Sequence, residues 1–155
     1  MENPLRLYDI ASSDRGKWQS SLLQVWEASV RATHDFLSES DIATIKPQVA
    51  SGLMNVPVLI AGVYSSAVAF MGICERKVEM LFVSPDRIGQ GIGSKLITYA
   101  REHFGIETVD CNEQNPRALA FYQKHGFAVE GRSKRDSLGL PFPILHLRLS
   151  VPVQS

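Results

Sequence analysis

The architecture of this chain follows from one segment, Glu79-Met-Leu-Phe-Val-Ser-Pro-Asp-Arg-Ile-Gly-Gln-Gly-Ile-Gly-Ser94. Its apolar first half has the composition of a strand, and Gly89, Gly91 and Gly93 then open an amphipathic helix. Glycine permits a positive φ without steric cost and lets a ligand approach the main chain closely. Because the first N–H groups of a helix have no partner within it, and the helix dipole leaves this end partly positive, such a loop attracts phosphate. The segment therefore predicts a pyrophosphate-binding loop between a strand and a helix.

The spacing of the glycines excludes two common nucleotide-binding motifs. A Walker loop needs Gly-x-x-x-x-Gly-Lys-Ser/Thr, and Ser94-Lys95 after Gly89 matches neither its spacing nor its order. A dinucleotide-binding fingerprint needs Gly-x-Gly-x-x-Gly, whereas the glycines here recur at every second residue. A glycine-rich turn without a ligand is the less favoured alternative, because several glycines at a helix start cost stability that packing alone does not restore.

The composition is ordinary for a soluble globular protein: 155 residues, 45% hydrophobic and 21% charged, with a formal net charge of zero. The neutral charge and the lack of a basic stripe argue against nucleic acid as a partner. The two cysteines and four scattered histidines show no metal-binding spacing, and neither cysteine is expected to carry an acyl group. The first residues lack an apolar signal core and no apolar run is long enough to span a bilayer, so we expect a cytoplasmic protein without a membrane partner.

Hydrophobic periodicity predicts two helices near the N-terminus, after a short strand within residues 5–10. The first helix is expected to be capped within Ser12-Ser13-Asp14 and the second within Ser38-Glu-Ser-Asp41. Pro47 should shorten or kink the second helix, because proline cannot donate a helical hydrogen bond. The turn between the helices, residues 32–37, is a candidate wall of a substrate pocket.

From residue 57 the periodicity changes to that of strands. The predicted strands are 58–63, 67–72, 77–83, 107–111, 127–133 and 143–149, and a helix over 115–125 precedes the last two. Short turns join the first three as an antiparallel meander, whereas the helix after the glycine loop should make the fifth strand parallel to the fourth. We therefore expect one α/β (α+β) domain over residues 1–155, with a mixed, mostly antiparallel sheet of about seven strands and helices on both faces.

The glycine segment and a second motif resemble the GNAT superfamily of N-acetyltransferases. That family's acetyl-CoA loop reads Arg/Gln-x-x-Gly-x-Gly/Ala after a strand, and Gly91 and Gly93 match its two glycines. The family's usual Arg or Gln falls on Ile88, with Arg87 one place earlier. The second motif, Asn115-x-x-Ala-x-x-Phe-Tyr-x-x-x-Gly-Phe127, is similar to the family's Asn-x-x-Ala-x-x-Phe/Tyr-Tyr-x-x-x-Gly-Phe signature. The order of helices and strands extends the resemblance over nearly the whole chain.

The resemblance implies the GNAT fold, in which strands 4 and 5 splay apart and acetyl-CoA (CoA) lies between them. The pantetheine arm of the cofactor would pair with the backbone of strand 4. The cofactor-binding residues implied are Leu81, Phe82 and Val83 on that strand, Gly89, Gln90, Gly91, Ile92, Gly93 and Ser94 in the loop, and Asn115 beside the pantetheine. A backbone amide near Leu81 is the expected oxyanion site.

Two residues are candidates for the proton transfers. Tyr122 is, by the resemblance, the general acid for the departing thiolate, since a tyrosine with a pKa of ~10 is protonated at neutral pH. A core tyrosine packed against the sheet is the alternative. Glu79 is the candidate base, because strand alternation places it on one face with Leu81 and Val83, where burial would suit it to accept a proton. A solvated charge near a strand end, or an ion pair with Lys77 or Arg76, is the alternative.

His34 and Asp35 are candidate substrate-binding residues, because small bacterial GNAT proteins often carry a similar Ala-Thr-His-Asp-Phe-Leu sequence. A capping pair at a helix end is the alternative, and for Asp35 it is slightly favoured.

The function implied is the transfer of acetyl from acetyl-CoA to a primary amine of a small molecule or a protein, by direct attack in a ternary complex. A non-catalytic acetyl-CoA sensor is one alternative, and a nucleotide-binding module of another kind is the second. Exposed sheet edges could build a homodimer.

Overall fold

The computed structural model of the chain describes residues 4 to 150. Its strands are β1 (Arg6–Asp9), β2 (Val58–Val63), β3 (Ala67–Cys74), β4 (Lys77–Val83), β5 (Thr108–Asn112), β6 (Phe127–Ser133) and β7 (Ile144–Leu149). Its helices are α1 (Arg15–Thr33), α2 (Glu39–Asn55), α3 (Ile92–Phe104) and α4 (Pro116–Lys124). Among the described residues, no helix is long and apolar enough to cross a membrane. The two ends of the predicted domain, 1–3 and 151–155, lie outside the described residues.

The seven strands form one sheet in the order β1-β2-β3-β4-β5-β7-β6. Neighbouring strands are antiparallel except β4 and β5, which are parallel. One hydrophobic cluster packs the sheet against α3 and α4 and includes Leu96, Ile97 and Leu147. A second, on the other face, packs it against α1 and α2 and includes Leu22 and Trp26. The predicted fold class, a mixed and mostly antiparallel sheet with helices on both faces, is confirmed.

Strands β4 and β5 part soon after they meet. Within residues 4–150, only two register pairs join them, Lys77 with Thr108 and Val78 with Val109. β4 then continues to Val83 along β3, while β5 continues to Asn112 along β7. The backbone groups of β4 that face β5 therefore have no strand partner over its second half. This is the splay that was expected between strands 4 and 5.

A β-bulge in β4 marks the point of separation. Val78 pairs with Ile73 and Met80 pairs with Gly72, so Glu79 is an extra residue without a partner on β3. Two residues apart on a regular strand, Val78 and Met80 would face the same side. Instead, Val78 belongs to the cluster under α3, and Met80 packs against the cluster under α1 and α2. The bulge thus resets the alternation of side chains along β4.

The start of α2 is capped as the sequence predicts, whereas the start of α1 has no side-chain cap. Ser38 caps α2 as predicted, because its Oγ accepts from the Asp41 N–H at 3.1 Å and the Asp41 carboxylate accepts from the Ser38 N–H at 2.9 Å. Pro47 does not shorten α2, which continues to Asn55. Residues 12–14 form a 3-10 turn, and Asp14 precedes α1 without a capping hydrogen bond from its side chain.

The start of α1 is held by a buried arginine. Arg15 is only 2% exposed. Its guanidinium donates to the carbonyl oxygens of Ile10 at 3.1 Å, Leu53 at 3.0 Å and Val56 at 2.8 Å. Burial lowers the pKa of Arg15, an effect that the charge of Asp9 partly opposes. One side chain therefore fastens the chain after β1 and the end of α2 to the start of α1.

Candidate active site

A cavity of about 680 Å³ opens where β4 and β5 part. It is bounded by the end of α1, β4, the glycine loop, β5 and the start of α4. The predicted site residues that line it are His34, Glu79, Leu81, Phe82, Val83, Gly89, Gly91, Ile92, Gly93, Ser94, Asn115 and Tyr122. Gln90 and Asp35 do not line it, and both are exposed. The splayed strands and the glycine loop thus bring together residues that are far apart in sequence.

The glycine loop presents free backbone donors at the start of α3. Gly89 has a φ of 86° and Gly91, the N-cap residue, a φ of 80°, a region that favours glycine. A side chain added at either position would meet no atom within 4 Å. Within residues 4–150, the first N–H to find a backbone acceptor after the loop is that of Lys95, which donates to the Gly91 carbonyl at 3.1 Å. The N–H groups of residues 89–94 are therefore available to an anion.

Gly93 has a different reason to be glycine. A Cβ there would lie 3.0 Å from Cζ of Phe121 on α4, a distance too short for ordinary packing. Phe121 also lines the cavity. The third glycine therefore allows α4 to pack closely against the first turn of α3, which brings the second sequence motif beside the loop.

Tyr122 lies on α4 and is 7% exposed. Its ring meets Phe121 and Phe127 edge-on, with centroids 5.3 and 5.7 Å away. Burial raises the pKa of Tyr122, and the nearby Cys111 adds to the rise, so the hydroxyl is protonated at neutral pH. Within the described residues, the Tyr122 hydroxyl has no hydrogen-bond partner. Every fully buried side-chain oxygen in these residues does have a partner. The hydroxyl of this cavity-lining residue is therefore not fully enclosed and opens into the cavity.

Asn115 has one half of its side chain committed to the fold. It is the N-cap of α4, and its Oδ1 accepts from the Ala118 N–H at 3.2 Å. Its side-chain nitrogen has no partner within residues 4–150, and the residue lines the cavity. The side chain can therefore cap the helix with its oxygen and donate to a ligand with its nitrogen.

The predicted burial of Glu79 is wrong. The residue lines the cavity but is exposed, because it is the unpaired residue of the β4 bulge. Strand alternation assumed a regular strand and therefore placed Glu79 in apolar surroundings. Its carboxylate stands at the open mouth of the cavity and in contact with solvent.

His34 is 9% exposed and follows the last residue of α1. Its Nδ1 lies 2.7 Å from Oγ1 of Thr33, and that oxygen donates to the Ser29 carbonyl at 2.8 Å. Burial lowers the pKa of His34, against an opposing effect of Asp35. Its ring centroid is 5.3 Å from that of Phe36. His34 is thus a buried, neutral group on the part of the cavity wall that the end of α1 forms.

A chain of polar side chains beside the cavity is a feature that the sequence motifs do not reveal. Asp110 accepts from Lys77 at 2.8 Å and pairs with Nδ1 of His146 at 2.7 Å. Nε2 of His146 lies 2.6 Å from Oγ of Ser133. The hydrogen bond that Lys77 donates to Asp110 is the largest cause of the raised pKa of Lys77. A charged residue between Val109 and Cys111 in a short apolar strand was the one available signal.

Cys111 also lines the cavity, although it was not among the predicted site residues. Its thiol is buried, and burial raises its pKa to about 11. The thiol is therefore protonated at neutral pH and is a poor nucleophile.

The loop makes one side-chain contact to α4 that sequence reasoning did not predict. Oγ of Ser94 lies 2.8 Å from Nε2 of His125. The pKa of His125 is lowered by burial and by the nearby cations Lys124 and Arg101. This contact fixes Ser94 next to the free amides of the loop.

Comparison with known proteins gives consistent matches. Residues 57–129 match the family model of the acetyltransferase (GNAT) domain. The chain is 41% identical over 127 residues to the peptidyl-lysine N-acetyltransferase YjaB of Salmonella typhimurium, covering 81% of this chain and 88% of that protein. The solution structure of apo-form YjaB from Escherichia coli matches with a TM-score of 0.81 at 35% identity, covering 94% of this chain and 97% of that one. The PaiA N-acetyltransferase of Thermoplasma acidophilum, solved in complex with coenzyme A, shares the fold with a TM-score of 0.63 at 18% identity, covering 92% of this chain and 98% of that one.

Proposed function

The chain belongs to the GNAT family of acetyltransferases, and from this premise we propose that it transfers acetyl from acetyl-CoA to a primary amine by direct attack in a ternary complex. One observation carries the proposal. The glycine-loop residues with unbonded N–H groups that line the cavity, Gly89 and residues 91–94, share it with the hydroxyl of Tyr122, at the splay of β4 and β5. The amides suit a diphosphate, and the hydroxyl suits a departing thiolate.

The residues of the cavity fit acetyl-CoA. The free N–H groups of the glycine loop would hold its diphosphate, since the helix dipole adds a favourable field there. The unpaired backbone edge of Leu81, Phe82 and Val83 would pair with the amides of pantetheine, and Asn115 would donate to it from its side-chain nitrogen. When bound, acetyl-CoA supplies the activated acetyl group. A CoA complex of a protein with the same fold supports this choice of donor.

The acceptor that we propose is the side-chain amine of a lysine in a peptide or protein. The relatives named above are peptidyl-lysine N-acetyltransferases. In this chain, the exposed carboxylate of Glu79 lines the cavity and would attract a cationic side chain before it loses its proton, whereas Asp110 is already paired with Lys77 and His146. His34 lines the cavity where α1 ends, and Asp35 follows it as an exposed residue.

Tyr122 would act as the general acid. Its hydroxyl stays protonated because burial raises its pKa, and it opens into the cavity. It can therefore give its proton to the sulfur as the carbon–sulfur bond breaks. Cys111 would not form an acyl-enzyme, because its thiol is protonated at neutral pH. Direct attack by the amine is the route that these two groups favour.

The test is acetyl transfer to a lysine peptide by the purified protein, followed by release of free thiol and by the mass gain of the peptide. Tyr122→Phe should lower kcat by about 100-fold or more, the contribution typical of a general acid, while leaving the Kd for CoA unchanged. Tyr99→Phe is the matched control, since Tyr99 lies on α3 outside this cavity, and it should keep full activity.

Other outcomes would favour other functions. Tight CoA binding without turnover of any amine would indicate a sensor of acetyl-CoA. Binding of ATP or NAD with no response to CoA would indicate another nucleotide-binding module. Unchanged turnover in Tyr122→Phe would remove Tyr122 from the mechanism.

A further inference from the structure

We propose that Nε2 of His34 takes the proton from the acceptor amine and that Thr33 holds the imidazole in the tautomer that this step requires. The inference rests on the proposed function and assigns the base of that reaction. It moves the role of base from Glu79, the candidate from the sequence, to His34, a buried residue that directly follows α1.

The tautomer follows from counting protons. Oγ1 of Thr33 has one proton, and it lies 2.8 Å from the Ser29 carbonyl oxygen, which can only accept. The same Oγ1 lies 2.7 Å from Nδ1 of His34. With its proton given to Ser29, Thr33 can only accept from the ring, so Nδ1 must carry a hydrogen. The neutral imidazole then has its free lone pair on Nε2.

The position of Nε2 follows from its surroundings. Within residues 4–150, Nε2 of His34 has no hydrogen-bond partner. Every fully buried side-chain nitrogen in this part of the chain has a partner, so Nε2 is not fully buried. Nε2 is therefore accessible, although His34 as a whole is only 9% exposed. Because Ser29, Thr33 and His34 all line the cavity, the accessible atom opens into it. The lone pair is presented to the space where the acceptor amine would lie.

The protonation state suits a base. Burial is the dominant effect on the pKa of His34 and lowers it below the ordinary value of 6.5, so the ring is neutral at pH 7. Asp35, on the same turn, acts in the opposite direction. The other charged groups on elements packed against this turn that line the cavity are Lys77 and Glu79 on β4, Arg87 after β4, and Asp136 after β6.

The imidazole ring of His34 packs against one aromatic ring, which a second aromatic ring supports. Phe36 lies 5.3 Å from His34, and Phe142, in the loop before β7, lies 5.4 Å from Phe36. The three rings connect the end of α1 to the loop between β6 and β7. Together with the Thr33 contact, they fix the direction of Nε2, whereas Glu79 is exposed and free to solvate.

The proton balance of the reaction closes. As the amine nitrogen bonds to the acetyl carbon, one N–H proton goes to Nε2 of His34, and as the carbon–sulfur bond breaks, the Tyr122 proton goes to the sulfur. The imidazolium then loses its proton to solvent and Tyr122 regains one from solvent. No oxidant or reductant is involved.

The experiment measures kcat against pH with saturating acetyl-CoA and lysine peptide. Wild type should lose activity on the acidic side, at a pH below the ordinary pKa of histidine, because burial lowers the pKa at which His34 becomes protonated. His34→Gln should lower kcat about 100-fold and remove this acidic limb, with an unchanged Kd for CoA. Glu79→Gln should keep the acidic limb. His103→Gln, an exposed histidine on α3, is the matched control and should behave as wild type.

Thr33 tests the positioning step. Thr33→Val keeps the shape of the side chain but removes the acceptor of Nδ1–H, and should lower kcat about tenfold. Thr33→Ser keeps the hydroxyl and should restore the wild-type rate and pH profile. Long-range ¹⁵N NMR of the imidazole reports the tautomer independently of activity, and should show Nδ1–H in wild type and a mixture in Thr33→Val.

Three results would overturn the inference: a wild-type kcat and acidic limb in His34→Gln, loss of that limb in Glu79→Gln, or an Nε2–H tautomer in wild type. Each can occur in a protein that acetylates lysine peptides normally, so each leaves the proposed function intact. Absence of any amine acetylation by wild type would instead remove the proposed function itself.

Discussion

At Gly91, a left-handed backbone conformation leads the glycine loop into α3. It is the N-cap of α3 with a φ of 80°, and the space around its missing side chain is empty. Gly91→Ala should therefore act through backbone strain of about 1–2 kcal/mol and not through a clash. Because the strain displaces the N–H groups that face the cavity, we expect the Kd for CoA to rise about tenfold or more, the equivalent of that energy.

The matched control for this substitution is Gly16→Ala. Gly16 lies in the first turn of α1, where a Cβ would also meet nothing within 4 Å, but its φ is not positive. This change should leave the Kd for CoA unchanged and raise the melting temperature slightly, since alanine favours the helix. Isothermal titration and a thermal melt measure both quantities. Equal affinity in wild type and Gly91→Ala would show that the loop geometry does not control binding.

At the scale of secondary structure elements, Arg15 connects the start of α1 to the end of α2 and to the chain that follows β1. Its three shortest hydrogen bonds end on the carbonyls of Ile10, Leu53 and Val56, and the side chain is buried. Arg15→Met fills similar space but leaves these carbonyls without their donor. We expect a loss of about 2–4 kcal/mol in the free energy of unfolding, because charge-assisted hydrogen bonds are lost and buried acceptors remain.

Urea denaturation of Arg15→Met and of Lys17→Met measures this loss. Lys17 lies two residues later, and its ion pair with Asp14 is exposed, so its removal should change stability by less than about 1 kcal/mol. A loss equally small in Arg15→Met would mean that solvent can satisfy the three carbonyls.

The elements also show how far sequence reasoning extends. The glycine loop and the Asn115–Phe127 motif are local patterns, and the structure places most of their residues on one cavity as predicted. The alternation on β4 fails at Glu79, because the bulge arises from the register with β3, which the pattern of β4 alone does not contain. The hydrogen bonds around His146 and His125 escape prediction for the same reason: they join separate elements.

At the scale of the whole molecule, the strand pairing of the sheet is almost interrupted between β4 and β5. Two register pairs join these strands within residues 4–150, whereas the hydrophobic cluster that contains α3 and α4 spans both parts of the sheet. A ligand held by β4, the glycine loop and α4 would bridge these parts. In the free protein, the N–H groups of residues 89–94 and part of those in 79–83 have no acceptor in the fold, so they should exchange hydrogen rapidly.

Hydrogen exchange with and without CoA therefore tests whether one ligand contacts both β4 and the glycine loop. At a ligand concentration about 100 times the Kd, the bound state is favoured by about 2.7 kcal/mol, so exchange in residues 79–83 and 89–94 should slow by up to about 100-fold. β1, Arg6–Asp9, is an edge strand away from the cavity and serves as the internal control, with unchanged exchange. Protection confined to the surface groove formed by Leu7, Thr98 and Tyr99, with none in the glycine loop, would place the ligand on the wrong side of α3 for Tyr122 to reach its sulfur.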